Sequence, residues 1–495
     1  MPPYPPEAMR HLASPTGAGP LAAADAVGES GSAACGDLVR VGLRLTGGRV
    51  REARFQAFGC GAATAAASAA CARLRGASLD DAMRLSAARL DADLGELGPA
   101  RRHGPDIVED AVARALEGWH SARLGAPGLP LRPGRVAVAM SGGVDSAVAA
   151  MLLRDAGRDV VGVTMRLWHD PAAAAAERSC CSPETVRLAR ASAHALGVPH
   201  LTLDVAEAFR AGVVEDFIAG YREGRTPNPC VTCNGSVRFR VLADAAALLG
   251  ARELATGHYA RLVRDPGGRA VVARAADAGK DQSYMLAMLD DSLRERLVFP
   301  LGGLTKERVR QMAREAGLPA ADAVESQEVC FVGEGGYGPF LERAAGMAPR
   351  PGPVEDAAGR RIGTHAGHWR FTVGQRRGIG VAAPEPLYVL ATDAGRNAVV
   401  VGPREELATH RLELAPARVV GDLGEGPLDV RVRYRGRPLR GRAALTGGGL
   451  TLELEDPADG VAPGQTAALY RDGRLVAAGT IAGPESITDL SETEH

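Results

Sequence analysis

The sequence lacks the features of a membrane or secreted protein. No apolar stretch approaches the roughly 20 residues that span a bilayer, and the first residues, MPPYPPEAMR, lack a signal peptide's charged and apolar regions. Eight cysteines in 495 residues are too few for a disulfide framework, so clustered thiols indicate redox, metal or sulfur chemistry. We therefore expect a cytoplasmic protein with no membrane partner.

Strong charge is also absent, because the formal net charge is -1. A nucleic acid partner would have to be held by local basic patches and not by the field of the whole protein. At 495 residues the chain is long enough for about three domains, if a domain averages roughly 150 residues. We expect a multidomain globular protein.

No G-x-x-x-x-G-K-[ST] motif occurs, which excludes the phosphate loop of kinases and GTPases. Residues 139–146 instead read AMSGGVDS, between an apolar run and a helix-like run. Adjacent glycines let the backbone approach an anion, serine hydroxyls donate hydrogen bonds, and the following helix directs its positive end to the same place. A Gly-Gly turn can also be purely architectural. The SGGVDS turn resembles a pyrophosphatase-type loop, and we predict ATP binding by Ala139, Met140, Ser141, Gly142, Gly143, Val144, Asp145 and Ser146.

Periodicity divides the chain into segments of different class. Alternating apolar residues near 39–57 predict a hairpin, followed by helices near 61–75 and 105–120. Short apolar strands alternate with amphipathic helices from residue 135 onward, which predicts an α/β parallel sheet with ligands at its carboxyl edge. Later two-period strands predict a small antiparallel β-barrel or sandwich. We predict a disordered leader (1–27), an α+β domain (28–122), a linker (123–134), an ATP-binding domain (135–332), a small central domain (333–395), a β-barrel (396–483) and a tail (484–495).

Two further segments concentrate reactive thiols. The run TPNPCVTCN places Cys230 and Cys233 in a loop that two prolines make rigid. Together with Cys180–Cys181 it could form a zinc site, although adjacent cysteines are poor zinc spacing. The run SQEVCFV contains Cys330, which could equally be a buried structural thiol.

Six motifs in order make the family recognisable. SGGVDS, TPNPCVTCN, ATGHYAR, KDQSYML, SQEVCFV and FTVGQRRGIG occur with the order and approximate spacing of the tRNA-specific 2-thiouridylases of the MnmA type. The resemblance covers about residues 135–483 and implies a PP-loop pyrophosphatase domain. It also implies that ATP, with Mg²⁺, adenylates the wobble uridine of a tRNA at position 2, and that a protein persulfide replaces the oxygen with sulfur.

The same resemblance assigns roles to individual residues. Cys233 matches the nucleophile and Cys330 the persulfide carrier, and the two thiols close a disulfide as the thiolated base leaves. Met165 matches a residue near the adenine, and Gly257 an ATP contact. The positions that match tRNA contacts, of which the first three contact the target base, are Asn228, Pro229, Cys230, His258, Lys280, Asp281, Gln282, Arg433, Tyr434 and Gln465. Some members of the family carry aspartate in place of Cys230, which favours a positioning role for it; a redox role together with Cys233 is the alternative.

Local charge points to a nucleic acid without reference to the family. Between Gly359 and Gly380 the chain has five arginines, two histidines, a tryptophan and a phenylalanine, and no acidic residue. Arginine beside aromatic rings suits phosphate contact and base stacking. The alternative is a basic surface that only contacts solvent. Arg431, Arg433 and Arg435, predicted on one face of a barrel strand, would extend this surface.

The amino-terminal segment resembles the IscU/NifU-type iron–sulfur scaffolds over about residues 28–120. Ala-Cys-Gly-Asp (34–37) and Gly-Cys-Gly-Ala-Ala (59–63) match the first two ligand motifs. The family's third motif, His-Cys, reads His103-Gly104 here, so one cysteine is missing, and Cys71 is a doubtful replacement. The remaining metal candidates are Cys35, Asp37, Cys60 and His103, which could hold zinc or a cluster, or one thiol could carry a persulfide.

Two functions of different class follow from these patterns. The first is a tRNA sulfurtransferase with a fused domain for sulfur handling or donor docking, served by a cysteine desulfurase or a sulfur-relay protein. The second is an iron–sulfur scaffold or delivery protein that carries an ATP-binding domain. The missing third cysteine disfavours the second.

Overall fold

The computed structural model describes residues 4–33, 35–170, 182–323, 329–333 and 335–482. Four units follow one another along the chain, in the predicted order of α+β domain, parallel-sheet domain, small central domain and antiparallel barrel. Within the described residues, no helix combines the length and apolar character needed to cross a bilayer. The predicted fold class is confirmed.

The amino-terminal domain is a three-stranded antiparallel sheet covered by helices. Its alternating residues bury Val39, Val41 and Leu43 on one face, where the alanine-rich helix that follows the hairpin packs closely. Its elements are α1 (Pro6–Ala13), β1 (Ala26–Ser32), β2 (Asp37–Thr46), β3 (Arg49–Phe58), α2 (Gly61–Leu74), α3 (Leu79–Met83), α4 (Ala87–Asp93) and α5 (His103–Ser121).

The prediction of a disordered leader over residues 1–27 is wrong for its described part. Residues 6–13 form α1, whose Ala8 is fully buried. Ser68 on α2 bonds His11 (2.8 Å) and the backbone N–H of Thr16 (2.8 Å). Contacts with α2, a helix more than 50 residues further along the chain, hold this segment in place.

The catalytic domain is a five-stranded parallel sheet of order β10-β7-β4-β5-β6, flanked by helices. The short apolar runs of the sequence predict strands at residues 136–140, 160–165, 200–204 and 253–256, and β4 to β7 lie within two residues of these positions. The elements are β4 (Arg135–Ala139), α6 (Val144–Asp155), β5 (Asp159–Arg166), α7 (Pro183–Ala195), β6 (His200–Asp204), α8 (Ala206–Phe209), α9 (Glu215–Arg222), α10 (Pro229–Thr232), α11 (Phe239–Leu248), β7 (Glu253–Thr256), β8 (Arg261–Arg264), β9 (Ala270–Ala273), α12 (Asp291–Arg294), β10 (Leu297–Val298), α13 (Lys306–Glu315) and α14 (Tyr337–Ala345).

A buried ion pair joins the first two domains. The guanidinium of Arg135, on β4, is 1 % exposed and donates to both carboxylate oxygens of Asp80, on α3, at 2.6 and 2.8 Å. Asp159 lies 3.3 Å from the same guanidinium. The linker adds to this junction, because Arg132 also pairs with Asp80 (2.6 Å) and its backbone N–H donates to Gly250 (2.9 Å). The 123–134 linker therefore lies against the catalytic domain.

Helix α5 runs alongside β6, the edge strand of the parallel sheet. Near its start, Glu109 lies 3.4 Å from His194, which comes shortly before β6. At its end, the hydroxyl of Ser121 accepts the backbone N–H of Asp204, the last residue of β6, at 2.9 Å. The amino-terminal domain thus shields an edge strand that would otherwise expose unpaired backbone groups.

The central domain is a four-stranded sheet of order β12-β11-β14-β13. The predicted boundary at residues 395/396 is wrong, because it separates β13 from β14, which pair antiparallel in this sheet. The short turn between them contains Asn397 at a positive φ of 51°, a tight connection that the period-2 pattern does not reveal. The strands are β11 (Gly352–Glu355), β12 (Arg361–His365), β13 (Tyr388–Asp393) and β14 (Ala398–Gly402).

The carboxyl-terminal domain is a closed antiparallel barrel. Its strand order is β15-β18-β17-β16-β19-β20, and β15 closes the barrel by pairing with both β18 and β20. The β8–β9 hairpin of the catalytic domain joins the barrel through β20. The strands are β15 (Ala408–Val419), β16 (Leu428–Arg431), β17 (Leu439–Thr446), β18 (Gly449–Asp459), β19 (Thr466–Arg471) and β20 (Arg474–Ile481).

Asp80→Ala should loosen the docking of the amino-terminal domain. Removing one partner of a buried ion pair costs about 3 kcal/mol, which corresponds to about a 100-fold larger undocked population. We expect thermolysin to cleave within residues 123–134 faster by a comparable factor. Asp155→Ala, which removes a 52 % exposed carboxylate, is the control and should change little. Equal cleavage rates for Asp80→Ala and wild type would contradict the account.

Candidate active site

The SGGVDS segment forms a turn between β4 and α6, at the carboxyl edge of the sheet. Gly142 has a positive φ of 75°, and a Cβ there would lie 2.4 Å from the carbonyl oxygen of Thr185, so only glycine fits. Ser146 receives the backbone N–H of Ser141 (3.1 Å) and donates to the carbonyl of Gly143 (3.0 Å). The strand–turn–helix geometry is the one expected of an anion-binding loop.

Asp145, in this loop, is held by two residues from distant parts of the chain. The ammonium of Lys306 lies 2.7 Å from both of its carboxylate oxygens, and the hydroxyl of Tyr259 donates to Oδ1 at 2.8 Å. Sequence reasoning missed Lys306 and did not single out Tyr259 within ATGHYAR. Only the lack of a lysine in the loop itself could have prompted a search for one elsewhere.

The end of β7 approaches the start of α6 closely. A Cβ on Gly257 would lie 2.7 Å from the backbone nitrogen of Ser146, so this approach requires glycine. The next residue, His258, bonds the hydroxyl of Thr256 at 2.7 Å. Burial, with a smaller contribution from Arg238, lowers the pKa of His258 to about 3, so its imidazole is neutral. Met165, near the end of β5, is half-buried on the same edge of the sheet.

The TPNPCVTCN segment forms a capped turn and a π-helix. Asn228 caps α10 by accepting the backbone N–H of Val231 (3.3 Å), and Pro229 occupies the first helical position. Cys230 is exposed, whereas Cys233 is 5 % exposed and begins the π-helical residues 233–238. Such π-helical turns are frequent at functional sites. The next residue, Asn234, fixes the turn by donating to the carbonyl of Met285 (3.0 Å).

Cys330 lies in a half-buried segment at the carboxyl side of β6. The adjacent Phe331 packs edge-on against Phe209 (5.8 Å) and Phe217 (5.3 Å), in the helices that follow that strand. Cys233 lies on the same side of the sheet, because the π-helical residues that it begins pack against α8, which follows β6. Neither thiol forms a disulfide with another described residue. The other half of the SQEVCFV motif, and Cys180–Cys181, lie outside the described residues.

The predicted tRNA contacts fall into two groups. Asp281 is 4 % exposed and accepts the backbone N–H groups of Ala275 and Ser283, while Gln282 accepts the backbone N–H of Tyr259. Gln465 donates to the carbonyl of Thr226 (2.7 Å) and so ties the barrel to the cysteine loop. These three residues are engaged within the protein. Among the others, Arg433 and Cys230 are exposed, Asn228, Lys280 and Tyr434 are half-buried, and Pro229 is buried.

The structure corrects the predicted arginine face of the barrel. Strand β16 ends at Arg431, which is largely buried and lies 3.7 Å from Asp281. Arg433 and Arg435 follow the strand, and Arg435 has a positive φ of 57°. The alternation continues in the sequence beyond the point where the chain turns, so these three arginines do not share a strand face.

The predicted aromatic platform of the central domain is also corrected. Trp369, Phe371, His365 and His368 are each less than a tenth exposed and pack inside the protein. They are therefore not available to stack on bases. The neighbouring Arg376 and Arg377 are exposed and remain a basic surface.

The predicted metal-binding residues come together at the start of α5. Asp37 Oδ2 accepts the thiol of Cys60 at 2.9 Å and lies 3.0 Å from His103 Nε2, and the ligand atoms of Cys35, Asp37 and His103 are within 4.8 Å of one another. Burial acts to raise the pKa of Asp37, but hydrogen bonds from the two thiols and His103 outweigh it and hold that pKa below its usual value. Burial and the adjacent carboxylate raise the pKa of Cys60.

Three of the four predicted ligands, Cys35, Asp37 and His103, offer one sulfur, one oxygen and one nitrogen donor close enough together for a metal ion such as zinc. The thiol of Cys60 contacts Asp37 and His103 but does not belong to this group. The position of the missing cysteine does not suit a further ligand. A Cβ on Gly104 would lie 2.7–2.9 Å from the backbone of Ala62 and Ala63. Cys71 does not replace it, because it is fully buried in α2 and burial raises its pKa to about 12.

Four family models match the four structural units. They are the NifU-like N terminal domain (residues 3–124), the tRNA methyl transferase HUP domain (134–334), the tRNA methyl transferase PRC-barrel domain (339–403) and the aminomethyltransferase beta-barrel domain (412–481). The parallel-sheet fold, the SGGVDS loop and these family matches together define a PP-loop enzyme of the tRNA-modifying class with an appended NifU-like domain.

Similar proteins span the NifU-like domain together with the other three units, or those three units alone. A bifunctional NifU/MnmA protein of Rubrobacter xylanophilus is 44% identical over 97% of this chain and 98% of its own length. A tRNA-specific 2-thiouridylase MnmA of Chloroflexus aggregans is 47% identical over 71% of this chain and 99% of its own length. Another, of a Methylobacterium species, is 45% identical over 70% of this chain and 94% of its own length. The chain belongs to the family of bifunctional NifU/MnmA proteins.

Proposed function

We propose that the chain is an ATP-dependent sulfurtransferase that makes 2-thiouridine at the wobble position of tRNA. The observation that carries the proposal is the placement of two cysteine thiols, Cys233 and Cys330, and the SGGVDS loop on the carboxyl side of one parallel sheet. The relatives named 2-thiouridylases share this part of the chain almost over their full length. Such an activity belongs in the cytoplasm, where tRNA is modified.

In the proposed reaction, the uridine O2 attacks the α-phosphorus of Mg²⁺-bound ATP and pyrophosphate leaves. The terminal sulfur of a persulfide on Cys330 then attacks the activated carbon, and AMP leaves with the former O2. Cys233, as thiolate, attacks Sγ of Cys330, which breaks the persulfide bond and leaves the sulfur on the base. The resulting Cys233–Cys330 disulfide is reset by a thiol reductant. Adenylation turns a poor leaving oxygen into a good one.

The tRNA is proposed to bind the exposed arginines of the central domain and barrel. Arg376, Arg377, Arg433 and Arg435 are all exposed. Arginine suits phosphate contact, which provides most of the sequence-independent affinity for nucleic acids. The base contacts would come from Asn228, Pro229 and Cys230, beside the nucleophile.

We further propose that the amino-terminal domain docks a sulfur donor, either a cysteine desulfurase or a relay protein. Its thiols lie at the start of α5, and the end of α5 bonds the carboxyl end of β6. A helix of 19 residues is about 27 Å long, far beyond the reach of thiol exchange. Sulfur would therefore travel between Cys60 and Cys330 on a separate carrier.

The alternative function, an iron–sulfur scaffold or delivery protein, is less supported than tRNA thiolation. The tight packing at Gly104 leaves no room for the third cysteine, and most of the chain matches tRNA-modifying relatives.

Cys233→Ser and Cys330→Ser should each reduce thiolation of tRNA at least about 1,000-fold, since a hydroxyl can neither carry a persulfide nor attack one. Binding of ATP should be unchanged within about twofold, because neither thiol lies in the SGGVDS loop. Thiolation is measured by mass spectrometry of tRNA nucleosides, and Cys71→Ala serves as the cysteine control. Substantial thiolation by either serine variant would refute the assignment.

Replacing Cys35 and Cys60 together with serine should slow thiolation several-fold when a cysteine desulfurase supplies the sulfur. The same variant should match wild type when glutathione persulfide is supplied, because this small persulfide passes its outer sulfur to Cys330 by thiol exchange and needs no docked donor. The two rates are measured on the full chain with the same tRNA. A desulfurase-driven rate equal to that of wild type would sink the proposed role of this domain.

A further inference from the structure

Lysine is nearly absent from this chain. It has 58 lysines and arginines, of which only Lys280 and Lys306 are lysines. Arginine therefore supplies nearly all of the side-chain positive charge, at 56 of these 58 positions. Lysine differs from arginine in presenting a compact point charge on a flexible stem, whereas a guanidinium is a broad planar fork. A buried lysine in such a chain indicates a place where the compact ammonium is needed.

Lys306 is held in position from several sides. It is the first residue of α13, which Thr305 caps by accepting the backbone N–H of Arg308. Its own backbone N–H donates to Asp277 (3.0 Å). Its side chain is 8 % exposed, and the ammonium lies 5.8 Å from the ring centroid of Tyr259.

The ammonium lies at the phosphate loop. Asp145, its partner at 2.7 Å, is the second residue of α6, so the charge lies next to the helix end that the loop presents to an anion. The Asp145 side chain is 31 % exposed, which places the ion pair at the rim of the loop and not beneath it. Helices α6 and α13 pack side by side, and their amino-terminal ends meet at this point.

We propose that Lys306 binds the β- and γ-phosphates of ATP and the pyrophosphate that leaves, with Asp145 and Tyr259 holding its ammonium in place. This inference rests on the ATP-dependent function proposed above. When uridine O2 attacks the α-phosphorus, the bond to the bridging oxygen breaks and its electron pair passes to pyrophosphate. An ammonium already in position stabilises that developing charge. A lysine from α13 thereby supplies the cation that the SGGVDS loop itself does not contain.

The test compares Lys306→Met with wild type in calorimetric binding of ATP, AMP and inorganic pyrophosphate to the full chain. The affinity for pyrophosphate and ATP should fall about 10- to 100-fold, the loss expected for a charge-assisted hydrogen bond. The affinity for AMP, which lacks both outer phosphates, should stay within about threefold. A purely structural lysine would affect all three ligands alike. Lys306→Gln, which can still donate to Asp145, gives the same comparison if the methionine variant does not fold.

Arg308→Met is the matched control, because it removes an exposed cation from the same helix and should leave all three affinities unchanged. Unchanged pyrophosphate affinity in the Lys306 variants, or an equal loss for AMP and pyrophosphate, would overturn the assignment. If wild type binds neither ATP nor pyrophosphate, the proposed function itself fails, and the assignment of Lys306 fails with it.

Discussion

The contact of Asp145 with Lys306 and Tyr259 is the interaction on which the catalytic site depends. It joins the start of α6, the start of α13 and the segment after β7, which are far apart in the chain. Tyr259 in turn receives support from Gln282 through its backbone N–H, and the adjacent Asp281 is bonded to Ser283. Gln282, which matches a tRNA contact in the family, therefore also supports Tyr259 and through it the SGGVDS loop, so the proposed nucleotide and tRNA parts of the site share one framework.

The location of the two thiol groups constrains how sulfur can move. The thiols of the amino-terminal domain lie at one end of α5, while Cys233 and Cys330 lie beyond the strand end that the other end of α5 contacts. The Asp80–Arg135 ion pair and the docked linker hold the domains in this arrangement. Fusion of the two domains therefore leaves the two sets of thiols apart, as a donor docked on the amino-terminal domain, which we propose, would require.

Local patterns in the sequence predicted much of this fold. Short apolar runs predicted strands β4 to β7, period-2 alternation predicted the β2–β3 hairpin, and adjacent glycines predicted the SGGVDS turn. Each of these patterns extends over only a few residues. The predictions that proved wrong concern segments whose structure depends on long-range packing, which a local sequence pattern does not show. The leader is ordered by contacts of His11 and Thr16 with Ser68, and Trp369 and Phe371 are buried although arginines surround them in the sequence. Lys306 joins Asp145 across 161 positions, which no local pattern could reveal.

The most direct test of the central claim is reconstitution with the purified chain, ATP, a cysteine desulfurase with cysteine as the source of persulfide sulfur, a thiol reductant and an unmodified tRNA transcript with uridine at the wobble position. Mass spectrometry of the digested tRNA should detect 2-thiouridine at that position only, together with one AMP for each sulfur incorporated. Release of AMP without exchange of oxygen for sulfur at the wobble uridine would contradict the account.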